Sequence, residues 1–354
     1  MTRLIDLYSD VVSKPTPAMK KAMIEAEVGD EQLREDPTVN QLCFMVAELL
    51  GKEDAVYLPS GKMCNQVAYR VHCQPGDEII MDRFSHGVYS ESGAIAALVG
   101  ANARTVDGSR GIFSGAQVES EIRAPDPIAP RSRLVSVEQT TNRAGGAVWP
   151  LAALNEVAAV AHRHGLAAHM DGARLMNAVV ASGVAAKDFA KNFDSVWIDL
   201  SKGLGCPVGA VLAGSKDFIK QAWRFKHQFG GAMRQAGFIA AAGVYALRHH
   251  VDRLADDHAN AKRLATGLAQ IPEIAIQPDD FATNIVFFDV AGTGLSAVEF
   301  RDRLLKRNVR VQPSGPTRVR CVTHIDVSQA DCETALREIS AVVAEARVGR
   351  GVTR

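Results

Sequence analysis

The stretch SVWIDLSKGLGCPVGAVLAG, residues 195–214, decides the fold. Its apolar start predicts a strand, Lys202 follows the end of that strand, and three glycines fall within the next seven residues. The order and spacing of glycine and lysine exclude a Walker A phosphate loop. A lysine at the mouth of an apolar strand, among glycines that allow close approach, is typical of a lysine that forms an imine. The alternative is a surface lysine in a glycine-rich loop, and this stretch alone leaves both open.

Two further segments bring polar residues to the ends of predicted strands. LAAHMDGAR (166–174) has Asp171 at the end of an apolar strand, followed by Arg174. LPSGKMCN (58–65) combines a strand end, a tight turn at Gly61 and a helix start. The free amides and the dipole of such a helix start favour a phosphate. Taken singly, each segment has a plain alternative: a solvated loop acid in the first, an ordinary helix start in the second.

Together the three segments predict a pyridoxal phosphate site. This cofactor requires a cup for its phosphate, an acid for its pyridine nitrogen and an imine-forming lysine. The cup comes early, the acid lies in the middle of the chain, and the lysine follows about 30 residues later. That order is the one found in the aspartate-aminotransferase-like fold.

Strand and helix patterns alternate along residues 18–245. Strands alternating with helices of about 10–15 residues predict βαβ units and a mostly parallel sheet, which binds ligands at the carboxyl ends of its strands. Within this part, SHGVYSESGAIAALVG (85–100) predicts one helix. We expect an α/β large domain at 1–245, including an N-terminal arm, and a small C-terminal α+β domain at 246–354.

Composition and charge exclude several classes of function. Lys plus Arg and Asp plus Glu both number 40, so the chain lacks the basic excess of a nucleic-acid binder or a membrane-surface protein. We read no signal peptide and no apolar run of about 18 residues, and we expect a cytoplasmic protein with no nucleic-acid or membrane partner. The six cysteines form no C-x-x-C pair and no Cys/His cluster, so we expect buried thiols and no metal site.

Longer motifs carry a resemblance to a known family. They are DLYSDVVSKPTPAM (6–19), EDPTVNQL (35–42), YLPSGKMCN (57–65), HMDGARLMNA (169–178), LSKGLGCPVGAVLAG (200–214), FGGAMRQAG (229–237) and RCVTHIDVS (320–328). With them the chain resembles the low-specificity L-threonine aldolases of the β-eliminating-lyase group, which are fold-type I pyridoxal phosphate enzymes, over about residues 5–345.

The resemblance implies a fold and a reaction. The implied fold is aspartate-aminotransferase-like: a large domain with a mostly parallel seven-stranded sheet and a small C-terminal α+β domain. The implied reaction is the pyridoxal-phosphate-dependent retro-aldol cleavage of L-3-hydroxy-α-amino acids, of the L-threonine and L-allo-threonine type, to glycine and an aldehyde. The resemblance also implies a homotetramer, a dimer of dimers with shared active sites.

The resemblance also assigns catalytic roles, position by position. Lys202 matches the Schiff-base lysine, and Asp171 matches the acid that pairs with the protonated ring nitrogen. His86 matches the histidine stacked on the ring and is a candidate base, because an ordinary imidazole titrates near pH 6.5. Arg174 matches the arginine beside the ring hydroxyl and the substrate carboxylate.

The remaining assignments concern the two anionic groups. Gly61 and Lys62 match the phosphate cup, and Arg234 matches an arginine that reaches the phosphate from a neighbouring subunit. Ser9 and Arg320 match the groups that, with the arginine at 174, hold the substrate carboxylate. A bidentate contact between arginine and carboxylate fixes which bond at Cα stands perpendicular to the ring.

Four departures from the family pattern bear on specificity. Thr141 stands where the family usually has a second active-site histidine, Lys62 replaces a usual Thr, Tyr8 replaces a frequent arginine, and the region around Leu33 lacks an aromatic residue. A hydroxyl at 141 can hydrogen-bond the substrate oxygen or a water, but it is a poor base by itself.

The departures leave the proton-transfer group and the side-chain preference open. The alternatives are β-elimination, transamination or aldol cleavage of an unusual β-substituted serine on the same scaffold. A non-catalytic protein that binds pyridoxal phosphate is a further alternative.

Overall fold

The computed structural model describes residues 3–352, and its largest sheet has seven strands within that range. The strands are β2 (Asp54–Leu58), β3 (Glu78–Asp82), β4 (Asn102–Val106), β5 (Ser132–Glu138), β6 (Ala167–Gly172), β7 (Ser195–Asp199) and β8 (Ala210–Gly214). Their order is β2-β8-β7-β6-β5-β3-β4, and only β8 runs antiparallel to its neighbours. The predicted mostly parallel sheet is confirmed.

Helices cover both faces of this sheet. They are α1 (Pro17–Ile24), α2 (Pro37–Leu50), α3 (Gly61–His72), α4 (His86–Tyr89), α5 (Gly115–Glu121), α6 (Leu151–Arg163), α7 (Leu175–Ser182), α8 (Ala186–Ala190), α9 (Lys216–Gln228) and α10 (Gly237–His249). The central strands β3, β7 and β8 are buried along their whole length, as expected for strands covered on both faces.

The C-terminal part forms a smaller α+β unit. It contains α11 (Leu254–Leu268), β9 (Ile285–Asp289), α12 (Ala297–Leu305), β10 (Val309–Arg310), β11 (Gln312–Pro313), β12 (Arg318–Val322) and α13 (Gln329–Val352). An antiparallel sheet has the order β11-β12-β9, and the short N-terminal strand β1 (Ile5–Asp6) pairs in parallel with β10. The side chains of Ile5 and Leu7 join the apolar core of this unit. The domain boundary at residues 245 and 246 stays a prediction.

The segment 85–100 does not form the single helix that its sequence predicts. It forms α4 and then a separate five-residue π-helix, Ile95–Val99. Ser92 and Gly93 lie between them with positive φ angles of 56° and 73°. Because a right-handed helix cannot contain such angles, the Ser-Glu-Ser-Gly run ends the first helix. Glu91 therefore lies just past the end of α4, five residues after His86.

Among the helices of residues 3–352, none combines the length and the apolar character needed to cross a bilayer. All six cysteines are free thiols, and five of them are buried.

Candidate active site

Asp171 and Lys202 lie at the carboxyl ends of two neighbouring parallel strands. Asp171 is the penultimate residue of β6, and Lys202 comes three residues after the end of β7. The Nζ of Lys202 donates to Oδ2 of Asp199 at 2.6 Å and lies 5.5 Å from the ring centroid of Trp197. Its side chain is 16 % exposed. The amine is therefore reachable, yet held beside an acid and an indole.

A buried hydrogen-bond network holds the carboxylate of Asp171. Its Oδ2 accepts from Nδ2 of Asn65 on α3 at 2.8 Å, and its Oδ1 accepts from the backbone N–H of Ala173 at 3.0 Å. Glu138 of β5 is the register partner of Asp171 on the neighbouring strand β6. Burial raises the pKa of Asp171, although His86 and Lys202 oppose the shift. Burial and the Asp171 charge raise the pKa of Glu138 to about 8.

His86 joins this network through Glu91. The Nδ1 of His86 is hydrogen-bonded to Oε1 of Glu91 at 2.8 Å, and the same oxygen accepts from Nδ2 of Asn65 at 2.8 Å. The other oxygen of Glu91 accepts from Nε2 of Gln66. Burial lowers the pKa of His86, but the hydrogen bond to Glu91 and the charge of Asp171 outweigh it, so the pKa is raised. The imidazole thus has a fixed orientation and a stabilised positive charge.

Ligand atoms of His86, Glu91 and Asp171 lie within 4.8 Å of one another. Metal sites can have this composition, but here each of the three groups already has a hydrogen-bond partner in the cluster. We therefore describe these three groups, together with the amide of Asn65, as a hydrogen-bonded network of two acids, an amide and an imidazole.

A second cluster brings two buried arginines together. The guanidinium of Arg174 forms a bidentate ion pair with Asp10, and its Nη1 lies 3.5 Å from Oδ1 of Asn142. Arg320 donates from Nη2 to the same Asn142 oxygen at 2.9 Å and from Nη1 to Gln312 at 2.7 Å. One neutral amide oxygen therefore lies between two guanidinium groups, which is the electrostatic setting of a carboxylate site.

The cluster has unmet hydrogen-bonding capacity. The Nε of Arg320 is buried and has no partner within the described residues. Burial, followed by the nearby Arg174, lowers the pKa of Arg320 to about 10. Ser9 lies at the edge of this cluster, with its Oγ 3.4 Å from Oδ1 of Asp10.

The start of α3 lies against the lysine region. A Cβ atom at Gly61 would come within 2.4 Å of the Trp197 ring and 3.0 Å of Oδ2 of Asp199, so only glycine fits. Since α3 begins at this residue, the N–H groups of its first turn have no partner inside the helix. Lys62 is exposed.

Arg234 lies apart from both clusters. Its side chain is 62 % exposed and donates from Nη1 to Oδ2 of Asp30 at 2.7 Å. Beneath it, Lys226 of α9 forms a fully buried ion pair with Glu31, whose other oxygen accepts from the backbone N–H of Met233 at 2.8 Å. The loop that carries Arg234 is therefore held in place by Glu31 and Lys226.

Thr141 faces a cavity of about 740 Å³. Its Oγ1 is buried and has no hydrogen-bond partner in the part of the chain that the structure describes. Ser85 and Glu138 also line this cavity, whereas Lys202 and Asp171 do not. The cavity therefore meets the Asp171 network through Glu138 and through the residue that precedes His86.

The residues present fit pyridoxal phosphate. A reachable amine, a buried carboxylate one strand away and a helix start without room for a side chain match the carbonyl, ring nitrogen and phosphate of that cofactor.

The sequence predictions missed several residues that organise the site. These are Asp10, Asn65, Glu91, Asn142 and Asp199. Asp10 and Asn65 lie inside motifs that we quoted, and Asp199 ends a predicted strand, so position offered a signal for these three. Glu91 follows the unpredicted end of α4, and the single helix predicted over 85–100 gave no sign of its contact with His86.

Comparisons with known proteins agree with the family resemblance seen in the sequence. The model of the family described as Beta-eliminating lyase matches residues 6–291. A probable low-specificity L-threonine aldolase 2 of Arabidopsis thaliana is 40 % identical over 339 residues, which is 94 % of this chain and 96 % of the relative. A low specificity L-threonine aldolase of Escherichia coli K12 is 41 % identical over 327 residues, which is 92 % and 95 % of the two chains.

A solved structure supports the fold. The threonine aldolase of Leishmania major superposes with a TM-score of 0.82 at 21 % identity, covering 96 % of this chain and 99 % of that one.

Proposed function

Because the chain belongs to the β-eliminating lyase family and is similar within it to low-specificity L-threonine aldolases, we propose that it is a pyridoxal-phosphate-dependent aldehyde-lyase. It cleaves L-3-hydroxy-α-amino acids to glycine and an aldehyde. The observation that carries this proposal is the placement of a buried acid, Asp171, and a reachable amine, Lys202, at the carboxyl ends of adjacent strands.

Each part of the cofactor has a candidate partner. The amine of Lys202 would hold the cofactor covalently, Asp171 would pair with its ring nitrogen, and Arg174 would lie beside its ring hydroxyl. The first turn of α3, from Gly61, would take the phosphate, with Lys62 next to it in the cup. When bound, the cofactor supplies an electron sink for the charge that develops at Cα.

The arginine cluster holds the other end of the substrate. Arg320 and Arg174 bind the carboxylate of the amino acid, and Ser9 supports this contact from the edge of the cluster. The free Nε of Arg320 and the shared oxygen of Asn142 favour this role, since an incoming carboxylate would neutralise both guanidinium groups at once. Fixing the carboxylate aligns the Cα–Cβ bond for cleavage.

The reaction needs one proton removed and one returned. The β-hydroxyl gives up its proton as the Cα–Cβ bond breaks and the aldehyde forms, and Cα of the remaining glycine takes up a proton. His86, or a water held by the hydroxyl of Thr141, is the proposed base. Glu91 fixes the His86 ring through Nδ1, which leaves Nε2 for the substrate side.

The proposed assembly is a homotetramer with active sites shared between subunits. The exposed Arg234 is the candidate to reach a neighbouring subunit's phosphate, and its anchored loop supports that role. Exposed apolar side chains at Ile24, Leu33 and Phe44 offer contact area for such an assembly. We also propose a cytoplasmic location, since all six cysteines are free thiols. Sedimentation equilibrium tests the tetramer.

Product analysis tests the function. The protein, loaded with pyridoxal phosphate, is incubated with L-threonine, L-allo-threonine and phenylserine, and glycine, aldehyde, ammonia and keto acid are measured. We expect glycine and aldehyde in equal amounts, no turnover by Lys202→Ala, and full turnover by the exposed control Lys191→Ala. Ammonia and a keto acid would instead identify an eliminase, and cleavage by Lys202→Ala would overturn the assignment of the lysine.

A further inference from the structure

The cavity beside Thr141 is much larger than the methyl group of threonine requires. At about 740 Å³ it lies in the size range of pockets for whole small ligands. Its lining includes Glu138 and Thr141 as well as Phe287 of β9 and Arg318 of β12. It therefore runs from the proposed reaction centre to the C-terminal unit.

Two buried hydroxyls in its wall have no partner. Ser85 is 9 % exposed and Thr141 is 3 % exposed, and neither hydroxyl oxygen has a hydrogen-bond partner within the described residues. Buried polar groups are nearly always satisfied in folded proteins. The two hydroxyls therefore indicate that a polar group of a ligand binds beside them in the cavity.

Two arginines also line the cavity. The guanidinium of Arg143 lies 3.6 Å from the ring centroid of Tyr89, and that of Arg318 lies 3.9 Å from the centroid of Phe287. Nη2 of Arg318 donates to the backbone oxygen of Arg143 at 3.4 Å, which joins the two residues. Aromatic rings hold both guanidiniums in place and leave their N–H groups for another partner.

Neither guanidinium forms an ion pair with a carboxylate among the described residues. No carboxylate lies within 4.0 Å of Arg143 or Arg318 in the described part of the chain, whereas Arg110 on the same rim pairs with Asp280 at 3.7 Å.

The remaining acids of the lining have other partners. Asp82 accepts from backbone N–H groups, and Asp289 accepts from the hydroxyl of Thr317 at 2.7 Å. Burial, followed by the charge of Arg143, lowers the pKa of Arg318, and the charge of Asp289 opposes this shift only in part.

Three consecutive residues connect this cavity to the arginine cluster of Arg174 and Arg320. Residues 141, 142 and 143 are consecutive: Asn142 contacts Arg320 of the arginine cluster, and Thr141 and Arg143 on either side of it both line the cavity. A substrate held by its amino-acid end at Arg320 would therefore extend its β-substituent past Thr141 toward Arg143 and Arg318.

We propose that this cavity selects 3-hydroxy-α-amino acids whose β-substituent is longer than methyl and ends in an acidic group, which Arg143 and Arg318 bind. The proposal rests on the proposed aldol cleavage and names its substrate class. The product released with glycine is then an aldehyde that carries a carboxylate or a phosphate.

Matched substrates test the selectivity. kcat/KM is measured for L-threo-3-(4-carboxyphenyl)serine and L-threo-phenylserine, which differ only in the acid. We expect at least a tenfold preference for the acidic substrate in the wild type and its loss in Arg143→Gln/Arg318→Gln. Arg110→Gln, which removes an already paired arginine from the same rim, should keep the preference. Equal kcat/KM for both substrates, or an equal loss in Arg110→Gln, would overturn the proposal.

A binding measurement separates the pocket from the reaction. Titration calorimetry of the protein loaded with pyridoxal phosphate compares 4-(hydroxymethyl)benzoate with benzyl alcohol, neither of which can be cleaved. Tighter binding of the acid that disappears in the double variant supports the pocket, even if no substrate yields glycine and the proposed function fails. Equal binding of the two compounds overturns the pocket, even if L-threonine is cleaved.

Discussion

Arg174 and Asp10 form a bidentate ion pair in which Nε and Nη2 each lie 2.7 Å from a carboxylate oxygen, with both side chains buried. Asp10 comes from the N-terminal arm and Arg174 from the turn before α7, so the pair joins segments 164 residues apart. Nδ2 of Asn284 also donates to Asp10, at 3.0 Å. The pair directs the remaining Nη1 of Arg174 toward Asn142 and the proposed carboxylate site.

Loss of Asp10 should destabilise the fold strongly. Asp10→Ala leaves a buried guanidinium without its counterion, which costs about 3–5 kcal/mol of unfolding free energy. Asp6→Ala, which removes a partly exposed partner of Arg310, should cost about 0–1 kcal/mol. Urea unfolding measures both.

The cost should depend on pH. Although burial opposes it, Arg174 holds the pKa of Asp10 well below its ordinary value. The pair therefore stabilises the fold above the ordinary aspartate pKa of about 4, and this contribution is lost as the pH falls toward the folded value. A destabilisation by Asp10→Ala that stays constant from pH 7 to pH 3 would contradict the assignment.

Glu138→Gln should stabilise the protein at alkaline pH. An acid whose pKa is raised to about 8 binds its proton more tightly when folded, so ionisation destabilises the fold between about pH 4.5 and pH 8. The amide avoids this loss and can still accept the N–H of Asn142. We expect a gain of about 1–3 kcal/mol at pH 9 and none at pH 4. The exposed control Glu48→Gln should show no such trend, and no gain at pH 9 for Glu138→Gln would contradict the prediction.

Glu91→Gln should lower the pKa of His86. Burial alone lowers that pKa, and the hydrogen bond to Glu91 is the largest effect that opposes it. NMR titration of the imidazole measures the shift, with His86→Asn to assign the signal. An unchanged titration in Glu91→Gln would show that Asp171 sets the charge of the imidazole without Glu91.

Lys226→Met should destabilise the protein more than the double variant Lys226→Met/Glu31→Gln does. The single change leaves Glu31 charged and buried, at a cost of about 3–5 kcal/mol. Lys226→Met/Glu31→Gln removes the unpaired charge and keeps an acceptor for the N–H of Met233, so part of the stability should return. Chemical denaturation of the four proteins of this cycle measures the coupling. Purely additive effects would mean that the two groups do not interact.

Much of the fold follows from periodicity and from strand ends. The apolar strand before Asp171 and the one before Lys202 are recognisable, and parallel strands bring their ends to one edge, so the acid and the amine could be predicted to meet. The family resemblance is confirmed by the comparisons. The assigned roles of the individual site residues stay predictions.

Other features depend on contacts that no local pattern encodes. The bond from Glu91 to His86 depends on the end of α4 at Tyr89, which the helical pattern of 85–100 hides. The meeting of Arg143 with Arg318 depends on how the C-terminal unit packs against the large sheet. Thr141 was recognisable as a departure from the family, but the size of the cavity beside it was not.

The parallel pairing of β1 with β10 has a consequence for biosynthesis. Residues 5 and 6 leave the ribosome well before their strand partners, residues 309 and 310. At the usual translation speeds of about 5–20 residues per second, the N-terminal arm waits roughly 15 to 60 s for its partner. During that interval Asp10 lacks the strand that anchors its segment, so the carboxylate site is among the last parts of the nascent enzyme to assemble.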